Sequence, residues 1–161
     1  LNMLSISSRR RERGITMVES LVALVILSVG MLGIAGLYVT GIKAGRSALL
    51  RTQAVNLASD MADRIRANRR ATTAYDMDAY GGAPTDQSCI GNDCTSAELA
   101  EDDLFRWQAS IEAALPGRPL ALADVQVVDE VAPAADRYAI SVIWHEAGEE
   151  APSTYTLMVE Q

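Results

Sequence analysis

The stretch from Arg13 to Leu27 reads R-G-I-T-M-V-E-S-L-V-A-L-V-I-L, and it places one acidic residue, Glu19, inside an apolar run. The run continues to Ile42, and the 23 residues from Ser20 onward carry no formal charge. A helix of that length is about 35 Å long, enough to cross the roughly 30 Å hydrocarbon layer of a membrane. The sequence therefore predicts one membrane-spanning helix in this part of the chain.

A basic segment precedes the apolar run. Residues 5–13 contain four Arg and one Glu, so the positive-inside rule predicts that this side stays cytoplasmic and that the chain after Lys43 lies outside. An ordinary cleaved signal has a shorter apolar core that is closed by a small-residue cleavage site, and no clear site of that kind follows here. A plain signal anchor leaves Glu19 unexplained, because a carboxylate in an apolar segment costs free energy and needs a partner.

The basic leader, the following glycine, Glu19 and the apolar run occur together at the spacing of a class III signal. The pattern resembles that of type IV pilins and pseudopilins. The resemblance implies that a prepilin peptidase cuts between Gly14 and Ile15 and that the new N-terminus, Ile15, is N-methylated. The usual first residue is Phe, so Ile15 departs from the pattern. Removal of residues 1–14 would change the net charge from −7 to −10.

Glu19 would be the fifth residue of the mature chain, as the family pattern requires. The resemblance implies that it is an assembly contact that neutralises the N-terminal amine of a neighbouring subunit. Such a pair is stronger in a medium of low dielectric constant than in water, provided that both charges are matched. The alternative is that Glu19 only adjusts the depth of the helix in the membrane.

Glycines recur every third residue in the apolar run, at Gly30, Gly33 and Gly36. Each glycine costs a helix interior about 1 kcal/mol relative to Ala, whereas small residues in a membrane allow helices to approach closely. In pilus filaments of the family that the leader resembles, part of this helix can become extended. Helix packing and local melting therefore both remain open as roles for these glycines.

The helix is predicted to continue past the membrane segment, from about Thr16 to Ala67. Its second half carries an apolar stripe at three- and four-residue spacing, formed by Leu50, Ala54, Leu57, Ala58, Met61 and Ile65. Asp60 and Arg64 are an i,i+4 pair of opposite charge on the same helix. We expect this half to pack on a head domain.

The same half carries a second resemblance. Residues 53–68 read Q-A-V-N-L-A-S-D-M-A-D-R-I-R-A-N, and this run resembles the helix of the PilV group of minor pilins. The segment D-L-F-R-W, from Asp103 to Trp107, resembles a helix that follows a cysteine pair in that group. Without the resemblance, the first run is an ordinary amphipathic helix and Trp107 is a core residue.

The segment after the long helix is rich in turn residues, which predicts a loop from about Ala71 to Asn92. The two cysteines of the chain, Cys89 and Cys94, lie close together in C-I-G-N-D-C and outside the cytoplasm. We therefore expect a local disulfide that contributes about 2 kcal/mol. A metal or redox site is disfavoured, because the spacing is not C-x-x-C and no third ligand is evident.

The C-terminal part predicts one helix and three strands. Residues 95–98 form a capping box that begins a helix ending near Pro116, and its apolar face comprises Leu99, Leu104, Trp107, Ile111 and Leu115. Alternating apolar residues predict strands around 125–131, 138–144 and 155–159. The expected fold is α+β and type IV pilin-like, with a long N-terminal helix on a small antiparallel sheet and a second helix in the connecting region.

These predictions divide the chain into four parts. Residues 1–14 are the cleaved leader, residues 15–42 the membrane or filament-core half of the helix, residues 43–70 its amphipathic half, and residues 71–161 the head.

The composition argues against a nucleic-acid-binding protein and against a zinc protein. A strongly acidic exported chain is a poor ligand for nucleic acid, and one His and two Cys cannot build a typical zinc site.

No catalytic constellation accompanies the pair His145 and Glu146, so we expect no enzyme, no cofactor and no metal. The resemblance implies a minor pilin that helps to prime a type IV pilus and supports piliation, twitching motility and adhesion. The alternative is a minor pseudopilin, similar to pseudopilin I, of a type II secretion system.

The partners implied are the prepilin peptidase and N-methyltransferase, other minor pilins, the major pilin, the inner-membrane assembly platform and a large tip adhesin. The implied location is the inner membrane, crossed once with the head in the periplasm, and afterwards the extracellular pilus.

Overall fold

The computed structural model describes residues 16–80, 83–117, 122–131 and 134–160. The elements, in chain order, are helix α1 (Met17–Ala67), two short 3-10 helices, η1 (Thr72–Tyr75) and η2 (Met77–Tyr80), helix α2 (Ser96–Ala114), and strands β1 (Leu122–Val131), β2 (Ala134–Trp144) and β3 (Ser153–Glu160). The three strands form one antiparallel sheet in the order β1-β2-β3. The predicted α+β architecture is confirmed.

The chain divides into two compact units between Ala44 and Gly45. In the first unit, α1 exposes its apolar side chains all round, with Leu32 and Leu37 more than 70% exposed. An 18-residue window of α1 has a mean hydropathy of 2.4, and none of that window is buried. By length and composition, α1 is the one helix among the described residues that could cross a membrane.

The second unit, from Gly45 onward, contains the core. The predicted stripe of α1 lies in that core, since Leu50, Ala54, Ala58, Met61 and Ile65 are all buried. Leu57 is only partly buried and packs against the same core. The small side chains at 54 and 58 let the helix backbone approach its neighbours closely, while Met61 and Ile65 fill the space beyond them.

The apolar face of α2 differs from the prediction at one position. Leu104, Trp107 and Ile111 are buried as expected, but Leu99 is 38% exposed and Ala100 is buried instead. Positions 100, 104, 107 and 111 follow the helical repeat and therefore share one face of α2. Leu99 precedes Ala100 by one residue, which turns its side chain about 100° around the helix axis and away from this face.

The start of α2 has the predicted capping box. The hydroxyl oxygen of Thr95 accepts a 3.2 Å hydrogen bond from the N–H of Glu98, and the Glu98 carboxylate accepts one of 2.7 Å from the N–H of Thr95. The helix ends at Ala114, two residues before Pro116, so the predicted end is close to the observed one.

The sheet contributes one face to the core. Alternate residues of the central strand β2 are buried, namely Tyr138, Ile140, Val142 and Trp144. Val125 of β1 and Val159 of β3 are buried as well. The period-2 alternation in the sequence therefore identified the inner face of the sheet correctly.

Candidate functional site

The first part of α1 combines an exposed apolar surface with one carboxylate. Glu19 lies in the first turn, is exposed, and has a backbone N–H that donates a 3.3 Å hydrogen bond to Oγ1 of Thr16. No side chain within the described residues pairs with the Glu19 carboxylate. Gly14 and Ile15, the residues of the predicted cleavage and methylation, lie outside the described residues.

The glycines of α1 do not interrupt the helix, which is continuous through Gly30, Gly33 and Gly36. A Cβ atom added at any of these three positions would meet nothing within 4 Å. Packing inside the chain therefore does not require glycine at these positions. Their lack of side chains leaves flat strips on the helix surface, where a neighbouring helix could approach.

Hydroxyl groups on the exposed part of α1 are satisfied by their own helix. Ser28 donates a 2.8 Å hydrogen bond to the carbonyl oxygen of Val25, and Thr40 donates one of 3.1 Å to that of Gly36. In an apolar medium an unpaired hydroxyl is costly. These bonds make the two polar residues compatible with a lipid or helix-bundle environment.

At the other end of α1, Arg64 bridges two carboxylates. Its Nε donates a 2.9 Å hydrogen bond to Asp60 on the same helix, and its Nη1 donates one of 3.0 Å to Asp103 on α2. The side chain of Asp103 is only 16% exposed, so this ion pair is better shielded from water than the first. The guanidinium group thus ties α2 to α1.

Tyr75 of η1 completes this network. Its hydroxyl donates a 2.9 Å hydrogen bond to Asp103, and the side-chain amide of Asn68 donates to the backbone carbonyl of Ser96 at 2.8 Å. Burial raises the pKa of Tyr75 well above its usual range, so the hydroxyl stays protonated and remains a donor. Sequence reasoning missed Tyr75, because it lies in a turn-rich segment without periodicity.

Residues 53–68, at the end of α1, and residues 103–107 of α2 therefore meet in space. Arg64 belongs to the first run, Asp103 to the second, and Nε1 of Trp107 donates a 2.8 Å hydrogen bond to the carbonyl oxygen of Leu57. These contacts give both sequence patterns a physical role, because their residues hold α1 and α2 together. Trp107 is fully buried, as expected for a core residue.

The loop before α2 is attached by a buried carboxylate. Asp102 is 2% exposed, accepts a 2.6 Å hydrogen bond from Nε of Arg106, and accepts another of 3.1 Å from the N–H of Gln87. Hydrogen bonding from Arg106 holds the pKa of Asp102 below its usual value, against the opposing effect of burial. Sequence reasoning also missed Asp102, because it lies in an acidic run from Glu101 to Asp103, which is typical of an exposed helix face.

The predicted disulfide is present in the same loop. Cys89 and Cys94 are joined with a Cα–Cα distance of 5.8 Å. Gly91 lies between them with φ of +79°, a backbone conformation that glycine adopts without strain. The disulfide and Asp102 thus anchor neighbouring parts of one loop.

His145 and Glu146 each make contacts that join elements of the head. The backbone N–H of His145 donates to the carbonyl of Pro116 at 3.2 Å. The Glu146 carboxylate accepts hydrogen bonds from Ser47, Trp144 and Ser153 at 3.2–3.4 Å. Glu146 therefore connects α1, β2 and β3. In the described ranges, no group of three or more His, Cys, Asp or Glu side chains could hold a metal ion.

Comparison with known proteins gives two matches to family models. Residues 9–35 match the prokaryotic N-terminal methylation motif, and residues 36–105 match the family described as type IV pilin Tt1218. No curated protein and no solved structure matches the chain significantly.

The second match extends from Gly36 in α1 to Phe105 in α2 and includes the Arg64–Asp103 bridge. The long helix, the second helix and the three-stranded sheet are the architecture expected for such a domain. Two adjoining stretches of the chain therefore resemble an N-terminal methylation motif and a type IV pilin family, and the α+β fold is type IV pilin-like.

Proposed function

We propose that this protein is a minor pilin, a structural subunit that helps to prime a type IV pilus in the inner membrane and enters the pilus within the shaft or at its tip. A prepilin peptidase cuts it between Gly14 and Ile15 and methylates Ile15. The observation that carries the proposal is the long exposed apolar surface of α1, which holds the Glu19 carboxylate without an ion pair in the part of the chain that the structure describes.

That surface cannot remain in water. Apolar area costs about 25 cal/mol per Å² when it is exposed, so α1 needs lipid tails or the helices of other subunits around it. Before assembly the membrane supplies this environment, with the head in the periplasm. During assembly other pilins replace the lipid, and the open strips at Gly30, Gly33 and Gly36 allow close helix packing.

Glu19 provides the specific contact in this exchange. Its carboxylate is costly in an apolar environment until it meets a cation, and the methylated amine at Ile15 of a neighbouring subunit remains positively charged. A subunit that enters out of register would leave both charges unmatched. Charge pairing therefore favours one helical offset between adjacent subunits.

The partners of the protein are other minor pilins, the major pilin and the inner-membrane assembly platform, and a large tip adhesin joins them. Association of several long helices costs translational and rotational freedom, so a preformed complex makes later additions easier. By this route the protein supports surface piliation, twitching motility and adhesion. The resemblance of residues 53–68 and 103–107 to PilV favours this role over that of a pseudopilin.

The test substitutes Glu19→Ala in the native organism, beside Glu112→Ala as a matched control on the exposed side of α2. Glu19→Ala is expected to leave leader removal intact but to lower co-purification with other minor pilins by about tenfold and to reduce surface pili. Glu19→Asp, which keeps the charge, is expected to restore part of the assembly.

Normal piliation by a stably expressed Glu19→Ala variant would show that charge pairing is not the role of Glu19. A strain that lacks the whole protein distinguishes a role in a type IV pilus from a role in a type II secretion system. Loss of protein secretion with normal pili would replace the proposal by a minor pseudopilin of a type II secretion system.

A further inference from the structure

The outer edge of β3 is unprotected. β3 pairs with β2 alone in the sheet, and no other described residue makes a hydrogen bond to its backbone. From Ser153 to Met158 the strand contains no charged residue and no proline. Natural edge strands usually carry such residues or bulges, because free N–H and C=O groups are a template for another strand.

The opposite edge of the sheet is formed by β1, which is irregular where β3 is regular. β1 has shifts of register on either side of Asp129, which disrupt regular pairing. The N–H of Val127, in the same part of the strand, donates a 3.3 Å hydrogen bond to the carboxylate of Asp76. The sheet therefore has one blocked edge and one open edge.

A groove of about 300 Å³ lies beside the open edge. Arg51 and Val55 of α1 line one side, and residues 153–155 of β3 line the other, with Trp144 between them. Successive side chains of a strand point to opposite faces of the sheet, so a groove on one face would be lined by every second residue. Residues 153, 154 and 155 are consecutive, which indicates that the groove follows the edge of β3. A strand added to β3 would direct alternate side chains into this groove.

We propose that β3 and this groove bind an extended acidic peptide segment of a different protein, which adds as a fourth strand. Arg51 is exposed, lines the groove and has no ion pair among the described residues. The hydroxyl of Ser153 donates to the Glu146 carboxylate, so Arg51 is the lining residue that would meet a carboxylate of the peptide. An exposed guanidinium group suits a carboxylate, to which it can donate two parallel hydrogen bonds. The backbone of β3 supplies affinity, and the groove supplies selectivity.

A second copy of this chain fits the edge poorly. The only charged residue of β3, Glu160, lies on the exposed face of the strand, whereas Tyr155 and Val159 lie on the face towards α1. When two β3 strands pair antiparallel at their edges, the exposed faces of both strands lie on the same side of the joined sheet. The Glu160 of a second copy would therefore lie on the side away from α1 and would bring no carboxylate to Arg51. This inference goes beyond the proposed assembly role and does not depend on it.

The probes are synthetic peptides of the length of β3 that alternate Thr and Val, with Asp at each inward position in turn. Matched peptides carry Lys instead of Asp, and a second set is N-methylated on alternate residues to block backbone pairing. The full-length protein in detergent micelles is titrated with each peptide, and amide hydrogen exchange locates the binding. At least one Asp peptide is expected to slow exchange in 153–160 and not in 122–131.

That Asp peptide is expected to bind about tenfold more tightly than its Lys counterpart, and Arg51→Ala is expected to remove the difference. Arg46→Ala, which changes an exposed cation outside the groove, is expected to preserve it. Failure of every Asp peptide to slow exchange in β3 overturns the proposal. Undiminished binding of the N-methylated set, or protection of β3 by dimerisation of the protein alone, overturns it as well.

Discussion

Nε1 of Trp107 donates a 2.8 Å hydrogen bond to the backbone carbonyl of Leu57, a residue 50 positions earlier in the chain. The bond joins the middle of α2 to the middle of the amphipathic half of α1. Arg64 and Asp103 join the same two helices about two turns further along α1. Because both contacts are directional, they fix the register of α2 against α1 more closely than apolar packing alone.

Substitution of Trp107 by Phe is expected to destabilise the head by about 2 kcal/mol. The change removes the hydrogen bond to Leu57 and part of a fully buried ring, which leaves a cavity. Chemical denaturation of the full chain in detergent micelles measures the free energy of unfolding. Phe105→Leu, at a residue that is 37% exposed on the same helix, should change it by less than about 0.5 kcal/mol. Equal effects of the two substitutions would contradict the prediction.

Substitution of Arg64 by Met is expected to cost about 1–2 kcal/mol of unfolding free energy. The carboxylate of Asp103, which is largely buried, loses its cationic partner and keeps the Tyr75 hydroxyl as its one hydrogen-bond donor among the described residues. The control is Arg66→Met, which breaks an exposed pair with Asp63 and should cost no more than about 0.5 kcal/mol. A loss no larger than that of the control would mean that the bridge contributes little to stability.

The loop before α2 should become less stable in acid because of Asp102. Its pKa is lower in the folded state than in the unfolded state, so its contribution is complete above the ordinary Asp pKa of about 3.9. The contribution is lost as the pH falls below that value, when the proton adds preferentially to the unfolded chain. Denaturation curves at pH 7 and at pH 3 should show a smaller acid loss for Asp102→Asn than for the unchanged protein. Glu112→Gln, at an exposed position of the same helix, serves as the comparison. An acid loss for Asp102→Asn equal to that of the unchanged protein would contradict the prediction.

Removal of the disulfide is expected to cost about 2 kcal/mol, since it closes a small loop. The double change Cys89→Ser and Cys94→Ser should lower the midpoint of denaturation while the fold persists, because the core lies elsewhere. Non-reducing peptide mapping of the exported protein should show the two residues linked. Two free thiols in that form would contradict the pairing.

Leader removal should depend on Gly14. A bulky residue such as Leu is expected to block the peptidase at this position, so Gly14→Leu should accumulate uncut protein in the membrane. Intact mass spectrometry of the unchanged protein should find an N-terminus at a methylated Ile15. An N-terminus downstream of Ile42 would instead indicate ordinary signal processing.

The sequence alone determined the secondary structure closely. The apolar run and the following stripe predicted α1 from Thr16 to Ala67, and the helix extends from Met17 to Ala67. The capping box, the disulfide and the three strands were also identified correctly. These features depend on neighbours within a few residues or on simple periodicity, so their physical causes are present in the local sequence.

Only the tertiary structure decided which residues meet across the chain. It brought Asp103 to Arg64 and Tyr75 to Asp103, it buried Asp102 beside Arg106, and it left Leu99 outside the core. It also gave the sheet one blocked and one open edge, although both strands read as ordinary β-segments. Such contacts join residues that are distant in the chain, and their partners are set by the packing of whole elements, which no local pattern specifies.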